Sequence, residues 1–247
     1  MGISLLRSAL DTRVRYAAQV EKQTGCPCLA VLPSRGSRPG KGTPGIPKQT
    51  DYAVGLAYLR SLVLNSIPPG HGILGFSPTH SDTTTSDLVA DLAILLASEG
   101  KKVLVIDLHL SAPRVPARFG LTIPKGLGEF LTSEESVESF IVPTSLPRLH
   151  VLSARPGDRD AEHSLSCRPM APVLESLQSQ WDFLFLDAPC IREDWGLLLS
   201  LPPEYPLIIT AEYNRTKVTD IISTLYQTKG QRWNLLGLIL LNSRPKF

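Results

Sequence analysis

Apolar residues in this chain come in short unbroken runs, and stretches with helical spacing separate the runs. Val103-Leu104-Val105-Ile106 lies between Lys102 and Asp107, and Phe183-Leu184-Phe185-Leu186 runs into Asp187. A strand that is apolar on both sides is covered on both sides, as in parallel sheets flanked by helices. On this basis strands are predicted at 28–32, 72–77, 102–107, 149–153, 183–187, 206–211 and 235–241. Helices are predicted at 5–23, 51–65, 86–98, 126–131, 133–140, 169–180 and 216–230. The helix at 51–65 places Val54, Leu56, Leu59, Leu62 and Val63 at helical spacing, and Pro68, Pro69 and Gly70 stop it. Strand and helix alternate to the end. The pattern predicts an α/β fold of three layers, α-β-α, with a mostly parallel central sheet.

Such sheets bind ligands beyond the carboxyl ends of their strands. Two strands end in aspartate at that edge, Asp107 and Asp187, an arrangement that can hold a magnesium ion or its waters beside a nucleotide. The plainer alternative is that each aspartate caps the turn after it. A nucleotide also needs a phosphate cradle between a strand and its helix, here residues 77–86, SPTHSDTTTS. A working cradle uses glycines for close backbone approach, a lysine for the β- and γ-phosphates and a Ser or Thr for magnesium. This segment has no glycine and no lysine. Thr83, Thr84 and Thr85 are β-branched, and Asp82 adds charge of the wrong sign. Ser86 and the helix start behind it are left as a weak attractor of anions.

Composition narrows the classes. With 43% hydrophobic and 19% charged residues over 247 positions, the chain can bury one substantial core. A net charge of +2 carries no polyanion signature, so nucleic acid is not expected as a partner. Cys26, Cys28, Cys167 and Cys190 form no C-x-x-C pair and read as reduced thiols of a cytoplasmic protein. No apolar run approaches the roughly 20 residues that cross a bilayer, so any membrane anchor is expected outside this chain. Residues 34–48, SRGSRPGKGTPGIPK, read as a linker whose Arg35, Arg38, Lys41 and Lys48 are solvated or face an anionic surface. His71, His80, His109, His150 and His163 are dispersed, as surface or internally satisfied histidines usually are.

The stretch from Gly72 to Leu121 resembles the core of bacterial tyrosine kinases of the polysaccharide co-polymerase type, relatives of the MinD/ParA deviant-Walker ATPases. These carry G-x-x-x-x-G-K-S/T before L-A-x-x-L-A, then G-K-x-V-L-x-I-D-x-D-x-R-x-P and F-G-L. Trp181 to Pro189 resembles their Y-D-x-x-x-x-D-T-P, residues 236–242 their closing G-x-x-L-N strand, and residues 10–33 the segment after their second membrane helix. The resemblance implies a P-loop NTPase-like fold divided into a segment at 1–33 packing on the core, a linker at 34–50 and a kinase-like domain at 51–247. Counted back from Asp91-Leu92-Ala93, the family's glycine falls on Thr84, its lysine on Thr85 and its magnesium-binding Ser/Thr on Ser86. Asp107 matches the first aspartate of the second motif, His109 stands at the second, Ser111 at the arginine, and Asp187 matches the Walker B aspartate.

Departures from that pattern bear on function. Thr85 brings no charge to a γ-phosphate, and His109 replaces the carboxylate that activates the attacking hydroxyl. Of the family's oligomerisation motif E-x-x-R-x-x-R, at Val54, Ala57 and Arg60, only the last arginine is kept. The six tyrosines are scattered, with no cluster in the Ser-Arg-Pro-Lys-Phe ending. The resemblance with its losses implies a catalytically inactive, pseudokinase-like scaffold or regulator of exopolysaccharide or capsule synthesis and export, at the inner face of the plasma membrane. No catalytic residue and no cofactor is expected. The expected partners are a membrane co-polymerase or other polysaccharide export proteins and a functional kinase, with self-association a further expectation. Two alternatives stand beside it. One is an active ATPase or tyrosine kinase that binds Mg-ATP or Mg-ADP through Ser86, Asp107 and Asp187, with the lysine supplied from elsewhere; Lys101, Lys102 and Lys125 are nearby in sequence, but nothing in the sequence places them at the site. The other is a MinD/ParA-like positioning ATPase. Arg114 and Arg118, after a strand end, are expected to hold an anion or partner acid, or to be solvated.

Overall fold

The computed structural model describes residues 12–35, 50–67, 72–81, 84–156, 170–192, 201–202, 204–230 and 233–243. Its strands are β1 (Cys28–Pro33), β2 (Ile73–Pro78), β3 (Val103–Asp107), β4 (Val142–Pro143), β5 (Leu149–Ser153), β6 (Phe183–Asp187), β7 (Pro206–Glu212) and β8 (Asn234–Ser243). They form one sheet in the order β1-β8-β7-β2-β6-β3-β5-β4, parallel except where β4 runs against β5. The helices are α1 (Ala17–Thr24), α2 (Asp51–Ser66), α3 (Thr84–Ser98), α4 (Val115–Phe119), α5 (Leu127–Thr132), α6 (Met170–Gln178) and α7 (Val218–Gly230).

The unbroken apolar runs become two cores because successive residues of a strand face opposite sides. Leu104 and Ile106 of β3 and Leu184 and Leu186 of β6 join Val20 of α1, Phe130 of α5, Leu174 of α6 and Ile221 of α7. On the other side Val103, Val105, Phe183 and Phe185 meet Leu56 and Leu59 of α2, Leu88 and Leu92 of α3, and Phe119 of α4. Phe76 packs edge-on against Phe185 there, ring centroids 5.7 Å apart. This is the three-layer α-β-α arrangement with a mostly parallel sheet, and β1, from the segment before the linker, is one of its strands.

Some elements differ from the sequence reading. Of the helix predicted at 5–23, the described residues form only Ala17–Thr24, because residues 12–16 pair with the turn before α7 instead. Val14 N donates to Thr216 O at 2.8 Å, Asn214 N to Val14 O at 2.7 Å and Val218 N to Thr12 O at 2.9 Å. Residues 5–11 lie outside the described residues, as do the linker from 36 to 49, Asp82, Thr83, His71, His163 and Cys167. The helix predicted at 133–140 is one 3-10 turn, Val137–Phe140, after Ser133 closes α5 by donating its N–H to Phe130 O. Helix α3 starts at Thr84, two residues before the expected start, so Thr84 and Thr85 are helical. Among the described residues no helix is long and apolar enough to cross a membrane. Cys26, Cys28 and Cys190 are free thiols, and burial pushes Cys26 and Cys28 up to about 11.

One buried polar cluster fixes how α3 meets its neighbours. Asp91, in the third turn of α3, has no exposed surface. Its carboxylate accepts from Arg35 Nη2 (2.9 Å), Arg118 Nη2 (2.8 Å) and the Tyr52 hydroxyl (2.8 Å), and Arg35 Nε lies 2.6 Å from it as an ion-pair contact. Burial pushes the Asp91 carboxyl up, against the pull of both guanidiniums and the hydroxyl. Tyr52 is pushed up as well, by burial and by Asp91. Arg35, read as a solvated linker base, and Arg118, read as solvated or anion-holding, are thus internal partners of one carboxylate. They tie the end of β1, the start of α2 and the helix after β3 to α3.

Candidate functional site

The carboxyl ends of β2, β3, β6 and β7 meet at one edge of the sheet, and the predicted residues are arranged there. Asp107 and Asp187 are paired in register across β3 and β6, and both are fully buried. Asp107 is largely committed to the loop that follows it. Its Oδ2 accepts the backbone N–H groups of Arg114 (2.7 Å) and Val115 (2.9 Å), at the start of α4, and its Oδ1 accepts the N–H of His109 (3.0 Å). The capping alternative therefore describes Asp107.

His109 fills the space between the two aspartates. Its Nδ1 lies 3.2 Å from Asp107 Oδ1 and 3.5 Å from Asp187 Oδ2. Burial alone would lower the imidazole's pKa, but the hydrogen bond with Asp107 and the charges of Asp187 and Asp107 outweigh it and raise it. Burial pushes the Asp187 carboxyl up to about 7. His109 opposes that rise, the Asp107 charge adds to it, and the Ser86 hydroxyl, which faces Asp187, opposes it. The donor atoms of Asp107, His109 and Asp187 lie within 4.8 Å of one another, close enough to converge on one divalent ion. With a nitrogen among them such a set suits a transition metal better than magnesium, which prefers oxygen ligands.

The other predicted residues open α3 and turn toward β7. Thr85 is buried, with its Oγ1 2.6 Å from Thr210 Oγ1. Thr84 donates its hydroxyl to Glu212 Oε1 at 2.5 Å. Ser86 alone of the three sits beside the aspartates. The structure thus gathers Ser86, Asp107, His109 and Asp187 in one place and sets Thr84 and Thr85 in a second group with Thr210 and Glu212.

That second group was not read from the sequence. Glu212 Oε1 also accepts from Asn242 Nδ2 (2.9 Å), and its Oε2 accepts from Arg215 Nη1 (2.8 Å) and lies 3.8 Å from His80 Nε2. His80 Nδ1 is 3.3 Å from Thr216 Oγ1. A charge closing the mostly apolar stretch 206–211 was the available signal: Glu212 ends β7 as Asp107 and Asp187 end β3 and β6. Beside Thr84 is a cleft of about 200 Å³, lined by Arg35, Tyr52, Asp87 and Asn242 among others. Small-molecule sites usually span roughly 300–1,000 Å³. The lysines proposed for the alternative site are elsewhere. Lys101 and Lys102 precede β3, at the opposite edge of the sheet, and Lys125 holds Glu135 at 2.7 Å.

No protein-family model matches the chain. The tyrosine-protein kinase ptk of Acinetobacter johnsonii is 24% identical over 253 residues, which cover 96% of this chain and 34% of that protein. The tyrosine-protein kinase YwqD of Bacillus subtilis is 29% identical over 133 residues, 54% of this chain and 51% of that one. This chain's relatives are bacterial tyrosine-protein kinases. It spans about a third of the length of the first relative and about half of the second. Its fold is that of their kinase domains. The kinase domain of the Escherichia coli tyrosine kinase ETK superposes with a TM-score of 0.80 at 18% identity, covering 94% of this chain and 97% of that one. The septum site-determining protein MinD of Pyrococcus horikoshii, complexed with Mg-ADP, superposes with a TM-score of 0.57 at 22% identity, over 68% of this chain and 69% of that one.

Proposed function

We propose that this chain is a catalytically silent tyrosine-kinase-fold domain. It serves as a scaffold or regulator in exopolysaccharide or capsule synthesis and export, at the inner face of the plasma membrane. The observation that carries the reading is the pair of residues opening α3. In the aligned lysine position stands Thr85, buried against Thr210, and the residue before it holds the carboxylate of Glu212. Magnesium triphosphate does not suit these groups. Its γ-phosphate would meet no cation from position 85 and would approach a carboxylate, a repulsion of several kcal/mol at ~4 Å in a partly buried setting. The expected magnesium place between Asp107 and Asp187 is entered by an imidazole. What stays intact is the fold, and the partners that suit a fold without chemistry are a membrane co-polymerase or a functional kinase of the same system. In this reading residues 1–33 lead into the domain, 34–50 link, and 51–247 carry the kinase-like body.

One observation favours a second reading, a phosphotransferase with an atypical site: Ser86, Asp107 and Asp187 are together. Incubation with radiolabelled ATP and magnesium or manganese separates the two. The proposed function predicts no phosphotyrosine on the chain or on added tyrosine polymer. Phosphotyrosine that disappears in Asp187→Asn would establish the second reading.

A further inference from the structure

Glu212 joins the two arms of the degenerate phosphate loop. Its carboxylate reaches His80 on the arm leaving β2 and Thr84 on the arm entering α3, and Asn242 and Arg215 hold it from β8 and from the turn after β7. The backbone is fixed as well: Glu212 N donates to Thr216 Oγ1 at 2.9 Å, and Thr216 N to Glu212 O at 3.0 Å. The residue is 5% exposed. A phosphate held by a strand-to-helix loop sits between those two arms, against the first N–H groups of the helix. Any phosphate oxygen there would therefore lie close to a buried carboxylate.

We propose that Glu212 is the resident anion of this loop, a built-in carboxylate that bars phosphate and holds the ligand edge of the sheet in one nucleotide-independent state. The inference rests on the silent-domain reading and deepens it, because it gives nucleotide exclusion a second cause besides the missing lysine. The carboxyl is held down to about 2, chiefly by His80, with Thr84 and Arg215 adding to that pull against the effect of burial. Arg215, at this edge, is paired with that carboxylate at 2.8 Å, and a partner of this domain would meet the same surface whether ATP or ADP were present.

The test compares Mg-ADP binding by calorimetry to wild type, Thr85→Lys and the double variant Thr85→Lys/Glu212→Gln, each checked for folding by circular dichroism. Glutamine keeps an acceptor for Thr84 and Asn242 while removing the charge. A second pair, with Glu212→Ser in place of Glu212→Gln, covers the case in which glutamine misfolds. The expected results are no binding by wild type and affinity about tenfold or more tighter for the double variant than for Thr85→Lys alone. Equal affinities, with wild type still silent, would overturn the role of Glu212 and leave the functional reading standing. Micromolar binding by wild type would instead remove the functional reading itself.

Discussion

Replacing Asp91 by asparagine keeps the shape of the cluster that ties α3 to its neighbours and removes its charge. Two guanidiniums, those of Arg35 and Arg118, would then face each other across a neutral amide, with side chains only 10% and 11% exposed. Removing one partner of a buried ion pair costs about 3–5 kcal/mol, most of it from the charge left without compensation. Asp87, 3.8 Å from Arg118 Nε, takes up part of that charge, so the expected loss is about 2–4 kcal/mol. At roughly 2–4 °C per kcal/mol for a chain of this size, the melting temperature falls by about 5–15 °C. Urea unfolding followed by circular dichroism reads the loss directly. The triple variant Arg35→Met/Asp91→Leu/Arg118→Met removes the buried carboxylate and both guanidiniums at once, leaving the partly exposed Asp87, and should be less destabilised than Asp91→Asn. A loss under about 1 kcal/mol for Asp91→Asn, or a triple variant weaker than the single, would refute the claim that uncompensated charge sets the cost.

Further outcomes follow from the same geometry. The Glu212 carboxyl is depressed from 4.5 to about 2, so its stabilising contribution is complete above about 4.5 and is lost as pH falls toward 2. Melting temperature against pH should therefore be flatter over that window in Glu212→Gln than in wild type, and parallel curves would contradict the assignment. His109→Asp places three carboxylates where two and an imidazole now lie within 4.8 Å, at a cost on the order of 2–4 kcal/mol. Its thermal midpoint should fall and be restored by millimolar magnesium; a midpoint indifferent to magnesium would count against the reading of His109 as an occupant of the ion's place. Gly72→Ala sets a methyl group against the Asp182 carbonyl, forcing β2 from β6, and should lose about 1–3 kcal/mol in urea unfolding. Wild-type stability in that variant would mean the strand entry adapts freely.

Much of the fold was legible because parallel strands covered on both faces leave unbroken apolar runs, and β3, β6 and β7 each carry one. The strand-end aspartates were legible for the same reason: a charge closing such a run has to lie at the sheet's edge. What escaped was set by partners distant in sequence. Residues 12–16 were read into the helix at 5–23 but extend because the turn at 214–218 offers backbone bonds. Arg35 looked like part of a basic linker because nothing local reveals that Asp91, fifty-six positions later, lies beneath it. His109 was read as standing in for a carboxylate, yet its insertion between two carboxylates appears only once β3 and β6 are side by side. Glu212 follows its apolar run as the aspartates follow theirs, but its meaning depends on Thr84 arriving from another strand's loop.

Calorimetric titration of Mg-ATP into the purified wild-type chain tests the central claim most directly. The account predicts no saturable heat at nucleotide concentrations up to about 1 mM. A dissociation constant in the micromolar range, abolished in Asp187→Asn, would contradict it.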